Sequence, residues 1–270
     1  MIRLSIRGIL QAAVAISALA VPALSRAQVA ATPTSTPATV RAMHARYVGR
    51  WWKTLTFRQK SIYFEPDGKT RVEYWTEAEQ LPGSLRVVTE PASNGNVRLY
   101  TRDSTYAYTN GTLASRRAGL HPLLVLLLDV FAVDPAVTIR RLPTMLIDTT
   151  AFRRETWQGR PMLVLGALRT DAAAREAWID AERLILVRLL QSSTTARVKT
   201  VEYRIGGHRR VAGGWLEGWL ETWEDGKRTF REEYENELVN PKLDPRLFDP
   251  DIAPANAPVI PLAKTSLPKG

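Results

Sequence analysis

The sequence predicts a mainly β, α+β protein: an antiparallel meander with one apolar face that a few helices must cover. Three observations carry this. First, six two-residue turn signals punctuate the chain: Asp67-Gly68, Asn94-Gly95, Asn110-Gly111, Gln158-Gly159, Gly206-Gly207 and Asp225-Gly226. Asn-Gly and Asp-Gly accept the positive φ angles that tight hairpins need. Second, most segments between these turns alternate apolar and polar residues, which puts one face of each strand on a core and the other in water. Third, one stretch in mid-chain, Leu120 to Val133, is apolar nearly all round, and a helix without a polar face belongs inside something.

Taken in order, Val40, Met43, Tyr47, Trp51 and Leu55 recur at three or four, with Arg41, Arg46 and Arg50 on other faces, so an amphipathic helix is expected there. Gly49 within it costs about 1 kcal/mol relative to Ala. Strands follow at Phe57 to Phe64, Thr70 to Thr76, Leu85 to Thr89, Val97 to Tyr100 and Thr105 to Tyr108. In the second of these Val72 and Tyr74 share one face, and Arg71, Glu73 and Trp75 the other. The apolar helix comes next, with Pro122 suited to its first turn. Strands resume at Val137 to Leu142, Phe152 to Trp157, Met162 to Leu168, Glu176 to Asp180, Ile185 to Gln191 and Val198 to Ile205. Met162-Leu163-Val164-Leu165 and Leu184-Ile185-Leu186-Val187 are apolar on both faces, so they lie under a cover on each side or offer a face to a partner. Trp215, Trp219 and Trp223 are spaced by four, in phase on a helix or a strand; the nearby glycines favour a hairpin with Thr229 to Leu238. A row of Trp on a sheet reads as packing before ligand stacking.

The ends place the chain. Met1 to Ala27 carries Arg3 and Arg7, an apolar run to Leu24 interrupted by Pro22, and the small residues Ser25 and Ala27 around Arg26. This pattern is that of a cleaved export signal, and the run is short of the ~20 apolar residues a bilayer span needs. Cleavage would take away three arginines and no acid, lowering the formal charge from +10 to +7. Residues 28–37 read as a flexible tether, 38–254 as one domain, and 255–270 as a Pro-rich disordered tail. The absence of cysteine excludes disulfides, thiol catalysis, cysteine metal sites and lipidation at a cysteine. The positive charge is spread without Lys/Arg blocks, so no nucleic-acid partner is expected, and a weak attraction to anionic membrane surfaces is the most it implies.

No pattern of catalytic chemistry stands out. His44, His121 and His208 are the only histidines, and none pairs at metal-ligand spacing. There is no Gly-x-Ser-x-Gly elbow, phosphate loop or Gly-x-Gly-x-x-Gly. Glu232, Glu233, Glu235 and Glu237, near Arg228 and Arg231, read as a solvated strand edge. Asp129, within the apolar helix, reads as bonded to a nearby Arg or exposed at the helix end. Neither an enzyme nor a bound cofactor is expected.

The order of elements carries a resemblance: export signal, N-terminal helix, Phe57-Arg58-Gln59, meander, apolar helix, further strands, and a closing Leu243-Asp244-Pro245-Arg246-Leu247-Phe248-Asp249-Pro250. This resembles the periplasmic lipoprotein-carrier superfamily typified by LolA, and its outer-membrane lipoprotein-sorting relatives, over about Arg41 to Pro254. In that family an aromatic-x-Gln begins the first strand, a segment like Leu85-Arg86-Val87 precedes a turn that reads Asn94-Gly95 here, and a Phe near the C terminus closes the sheet, as Phe248 would. The resemblance implies an unclosed half-barrel of about eleven strands, helices on its concave side, and between them an apolar cavity for lipid or lipoprotein acyl chains. Alternation then names the expected lining: Val72, Tyr74, Leu85, Val87, Tyr203 and Ile205 from the sheet, facing Leu124, Leu127 and Phe131 from the helix. The implied role is non-enzymatic binding for transport or sensing in the periplasm. An envelope protein-protein interaction module, using the two-sided apolar strands as its surface, is the alternative.

Overall fold

A computed structural model describes residues 32–119, 121–167, 175–192 and 199–265. The expected export signal, the first four residues of the tether, Leu120, Leu168, Val198 and the last five residues of the tail lie outside the described residues. Thirteen strands form one antiparallel sheet that does not close into a barrel. The first half is a meander: β1 (Thr54–Phe64), β2 (Thr70–Gln80), β3 (Ser84–Thr89), β4 (Val97–Tyr100), β5 (Ser104–Thr109) and β6 (Thr112–Ala118). The second runs through β7 (Asp148–Trp157), β8 (Arg160–Gly166), β9 (Glu176–Asp180), β10 (Leu186–Ser192) and β11 (Thr200–Gly206). A small ribbon, β12 (Arg209–Val211) with β13 (Gly214–Leu216), leaves the sheet before β14 (Trp219–Glu224) and β15 (Lys227–Val239) return to it. The 13-residue β15 pairs with β1 on one side and β14 on the other and so joins the halves, leaving β6 and β7 as the edges.

The turns follow from residues that tolerate positive φ. Asn110-Gly111, Gln158-Gly159 and Asp225-Gly226 each have both residues left-handed, the two-residue geometry whose twist matches that of the strands. Gly95 has no substitute: a Cβ there would sit 2.4 Å from the amide nitrogen of Gly111, which donates to the Gly95 carbonyl at 3.0 Å. The edge strand β6 escaped the sequence reading because nearly all of it is exposed, leaving no apolar alternation to detect. The sheet has thirteen strands where the resemblance implied about eleven.

The helix expected from Val40 to Leu55 is shorter and begins earlier. α1 spans Thr36–Tyr47, capped by the Ser35 side chain, which accepts from the Ala38 amide at 3.3 Å. Its start therefore lies inside the segment read as tether. It ends because Gly49 turns left-handed at φ +72°, after which Trp51 lies in a loop and Leu55 in β1, both still buried. The apolar segment is no regular α-helix. Leu124–Leu128 is a π-helical turn, in which the Asp129 amide reaches back to the Leu124 carbonyl, and Asp129–Phe131 is a 3-10 turn. Val137 to Leu142, expected as a strand, belongs to a helix, α2 (Pro135–Arg141), and the 3-10 turn after it. Asp134 caps this helix by accepting from the Ala136 amide at 2.7 Å, and Pro135 sits where the missing donor is harmless.

The main core lies between the concave face and these helices. Phe131 stacks on Trp51 with centroids 3.8 Å apart and meets the edge of Tyr47 at 5.1 Å. Met162 to Leu165 and Leu184 to Val187 are buried within the chain itself, so they are covered on both faces and not presented to a partner. A second, smaller core lies on the convex side. Residues 255–265, expected as tail, run back over it there: Ile260 is buried with Leu247, Ala78, Val88, Val97 and Tyr108, and the Ala263 amide donates to the Asn236 carbonyl at 3.0 Å. Leu247 fills the position that Phe248 was expected to take, with Phe248 packed at its rim. The rest of the convex face is a lattice of Arg, Glu and Trp. Arg204 lies 3.9 Å over Trp223 and Arg231 5.0 Å over Trp219, so these Trp rings pack under guanidinium groups. Trp215 stands apart on the β12–β13 ribbon and donates to the Tyr47 hydroxyl at 3.0 Å.

Candidate ligand-binding hollow

Pairing fixes which side chains face inward. Gln59 on β1 is opposite Trp75 on β2, Glu77 opposite Val87 on β3, and Tyr203 on β11 opposite Thr222 on β14. With Phe57, Leu85, Tyr100, Phe230, Glu232 and Tyr234 they floor a hollow of about 250 Å³, roofed by His121, Leu123, Leu124, Leu127 and Leu128. The roof is tied to the sheet by Asp129. Its buried carboxylate accepts the Gly83 amide at 2.7 Å in the turn between β2 and β3, with Arg141 at 3.8 Å. Burial raises the Asp129 carboxyl, and the Gly83 amide and Arg141 oppose that rise.

Of the nine residues read from the sequence as lining, Leu85, Val87, Tyr203, Leu124 and Leu127 meet here. Val72 and Tyr74 do not. Val72 is 44% exposed near the tip of its hairpin, and Tyr74 lies on the opposite face, 3.8 Å beneath the Arg58 guanidinium. Alternation separates the two faces of β2 correctly, but the inward one carries Trp75, Glu77 and Glu79, so ranking the faces by hydrophobicity picks the wrong one. Phe131 is sealed in the aromatic cluster with Trp51. Ile205 is buried beside a separate recess lined by Trp157, Asp180, His208 and Trp219.

The hollow is not purely apolar, which sequence reasoning missed. Glu77, Glu79 and Glu217 are buried, and Glu232 faces the interior with Tyr234 donating to its Oε2 at 2.8 Å. Burial lifts all four carboxyls: Glu217 and Glu232 are raised to about 7, and Glu77 and Glu79 well above the ordinary value, with the neighbouring glutamates adding to the rise at Glu77, Glu79 and Glu232. Burial and Arg98 lower His121 to about 4, so its ring is neutral. Phe230, Glu232 and Tyr234 alternate, and that phase was the available signal: it puts Glu232 on an aromatic face while Glu233 and Glu235 point outward to Arg231 and Arg58. All four carboxyls of the hollow thus move upward. Among the described residues no group of His, Asp or Glu could hold a metal ion, and no helix is long and apolar enough to cross a membrane.

No protein-family model and no curated protein matches the chain. Solved structures do. A domain described as an outer membrane lipoprotein-sorting protein, from Vibrio parahaemolyticus, superposes with TM-score 0.56 at 11% identity, covering 79% of this chain and 95% of its own. A LolA superfamily protein from Nitrosomonas europaea gives 0.51 at 12%, covering 81% and 99%. A DUF1329 family protein from Desulfovibrio piger gives 0.55 at 12%, covering 80% and 96%. At such identities the likeness is one of fold: this chain has the fold of the LolA superfamily and outer membrane lipoprotein-sorting structures.

Proposed function

We propose that the protein is a non-enzymatic binder of acyl chains, of lipids or of lipoproteins, acting in the periplasm after export on the signal at 1–27, for transport or sensing in the cell envelope. The observation that carries this reading is the hollow beneath a roof of leucines on a fold shared with lipoprotein-sorting structures. Leu85, Val87, Tyr203, Leu124 and Leu127 would contact the chain. Apolar burial is non-directional and worth about 25 cal/mol per Å², so roof contacts and ligand contacts can exchange at little net cost. The alternative of a partner surface on the two-sided apolar strands is disfavoured, because those strands are buried within the chain.

Delipidated protein should bind N-phenylnaphthylamine, and decanol should displace it. Leu124→Trp, which fills the space under the roof, should abolish probe binding while the protein still melts cooperatively. If wild-type protein neither binds the probe nor gains melting temperature with decanol, the reading fails.

A further inference from the structure

The other buried carboxylates are answered by arginine. Glu176 is held by Arg153 at 3.0 Å, Asp180 by Arg160 at 2.7 Å, Glu202 by Arg188 at 2.6 Å, and Glu221 by Arg228 and Arg231, both at 2.7 Å. Glu237 is paired with Arg209. The four glutamates of the hollow differ: among the described residues no Lys or Arg forms a salt bridge with Glu77, Glu79, Glu217 or Glu232. They converge from β2, from β15 and from the loop after β13. Glu79 Oε2 is buried without any hydrogen-bond partner, and its side chain lines the hollow. A chain that compensates its other buried acids and leaves these four open to an internal space has the charge pattern of a site awaiting a cation.

We propose that the hollow recognises an amphiphilic ammonium, its charged head among the glutamates and its apolar chain under the leucine roof. This rests on the reading of the hollow as the binding site and names the head group. Besides the acids, aromatic rings surround the space, Phe57, Trp75, Tyr100, Phe230 and Tyr234 among them, and their faces attract an ammonium. The absence of a metal-ligating arrangement among the described residues and the hydrocarbon roof both favour an organic cation over a metal ion. None of the other titratable groups facing the glutamates forms a salt bridge with them among the described residues. His121 is neutral, Tyr100, Tyr203 and Tyr234 have phenols raised by burial, Arg98 lines the hollow but is solvent-exposed and forms no salt bridge with the four, and Arg209 beyond Glu217 is engaged by Glu237. Below about pH 7 Glu217 and Glu232 hold protons in the empty hollow, and an entering ammonium drives those protons out to solvent.

The test is calorimetric titration of the full mature chain with decyltrimethylammonium, decanol, decanoate and choline, below micellar concentrations. At about pH 8 the ammonium amphiphile should bind at least tenfold more tightly than decanol, with decanoate weakest; at about pH 6.5, where Glu217 and Glu232 still hold protons, its binding should also release protons, as read from buffers of different ionisation enthalpy. At about pH 5 the preference should shrink, because protonated carboxyls no longer attract the head. Choline, the head without the chain, should bind at least tenfold more weakly than the amphiphile; equal affinity would overturn the assignment of an amphiphile. The combined Glu79→Gln and Glu232→Gln variant should lose the preference for the ammonium over decanol. If decanol binds and the ammonium binds no better, this inference is overturned while the acyl-binding reading stands. If none of the amphiphiles binds, both fall. The wild-type comparison decides even if the double variant does not fold.

Discussion

Replacing Glu232 with Gln should stabilise the protein at about pH 8 and much less at about pH 5. Glu232 lines the hollow without a basic partner among the described residues, and burial with the repulsion of Glu217 lifts its carboxyl from 4.5 to about 7. The unfolded chain ionises near the ordinary value. Between the two, the folded protein holds a proton that the unfolded chain has given up, so stability falls as pH rises through this window and levels off above about 7. At about 1.4 kcal/mol for each pH unit, the whole penalty is about 3 kcal/mol, most of it incurred between about pH 5 and pH 8. Gln keeps the shape and can accept from Tyr234, but has no proton to shed. His121 and His208, both lowered to about 4 by burial, act in the opposite sense below about pH 6.5, yet they are common to both proteins and cancel in the difference. The assay is urea unfolding followed by Trp fluorescence, on variant and wild type at both pH values. The variant should gain roughly 3 kcal/mol at the higher pH and under about 1 at the lower. A variant no more stable than wild type at the higher pH would refute the reasoning, since Glu232 would then be ionised and well solvated. A parallel Glu217→Gln variant should behave alike, and the double variant should gain less than the two singles added, because each single change already removes the repulsion between the pair.

The remaining predictions concern the roof and the two faces. Asp129→Ala removes the acceptor of the buried Gly83 amide, costs about 1 to 3 kcal/mol, and should speed hydrogen exchange of amides in 121–131 relative to those of β8, as read by mass spectrometry. Equal protection in wild type and variant would show that the latch does not hold the roof. Phe131→Ala empties the space between Trp51 and Tyr47 and should cost about 3 to 5 kcal/mol in urea unfolding. Val72→Glu, at an exposed position on the hairpin, should change stability by less than about 0.5 kcal/mol and leave decanol binding intact; a large loss of either would return Val72 to the hollow.

Local chemistry made much of the fold legible in the sequence. Asn110-Gly111 and Asp225-Gly226 need positive φ wherever they stand, and strands such as Val97 to Tyr100 were readable because the alternation of Val97 and Leu99 with Arg98 survives any choice of partner. The all-apolar stretch after Pro122 had to be buried, and it is. Readings that depended on who sits opposite failed. Val137 to Leu142 could serve as strand or helix by pattern, and the Asp134 cap with Pro135 at the first turn decided for helix. Residues 255–265 carry no periodicity, yet Ile260 finds a convex apolar patch that exists only once β2 to β5 are assembled. The same limit hid the chemistry of the hollow. Alternation along β2 separates Tyr74 from Trp75 but cannot say which faces the core; that is settled by register, which sets Glu77 opposite Val87 and Gln59 opposite Trp75. Charged residues in a run with arginines look solvated from the sequence, and Glu233 and Glu235 are indeed paired outward. Glu232, one residue away, is turned inward by the pleat to join Glu77, Glu79 and Glu217. Sequence determines the period of each strand, whereas the raised carboxyls arise from charges more than a hundred residues apart brought into one poorly hydrated space, which tertiary structure alone decides.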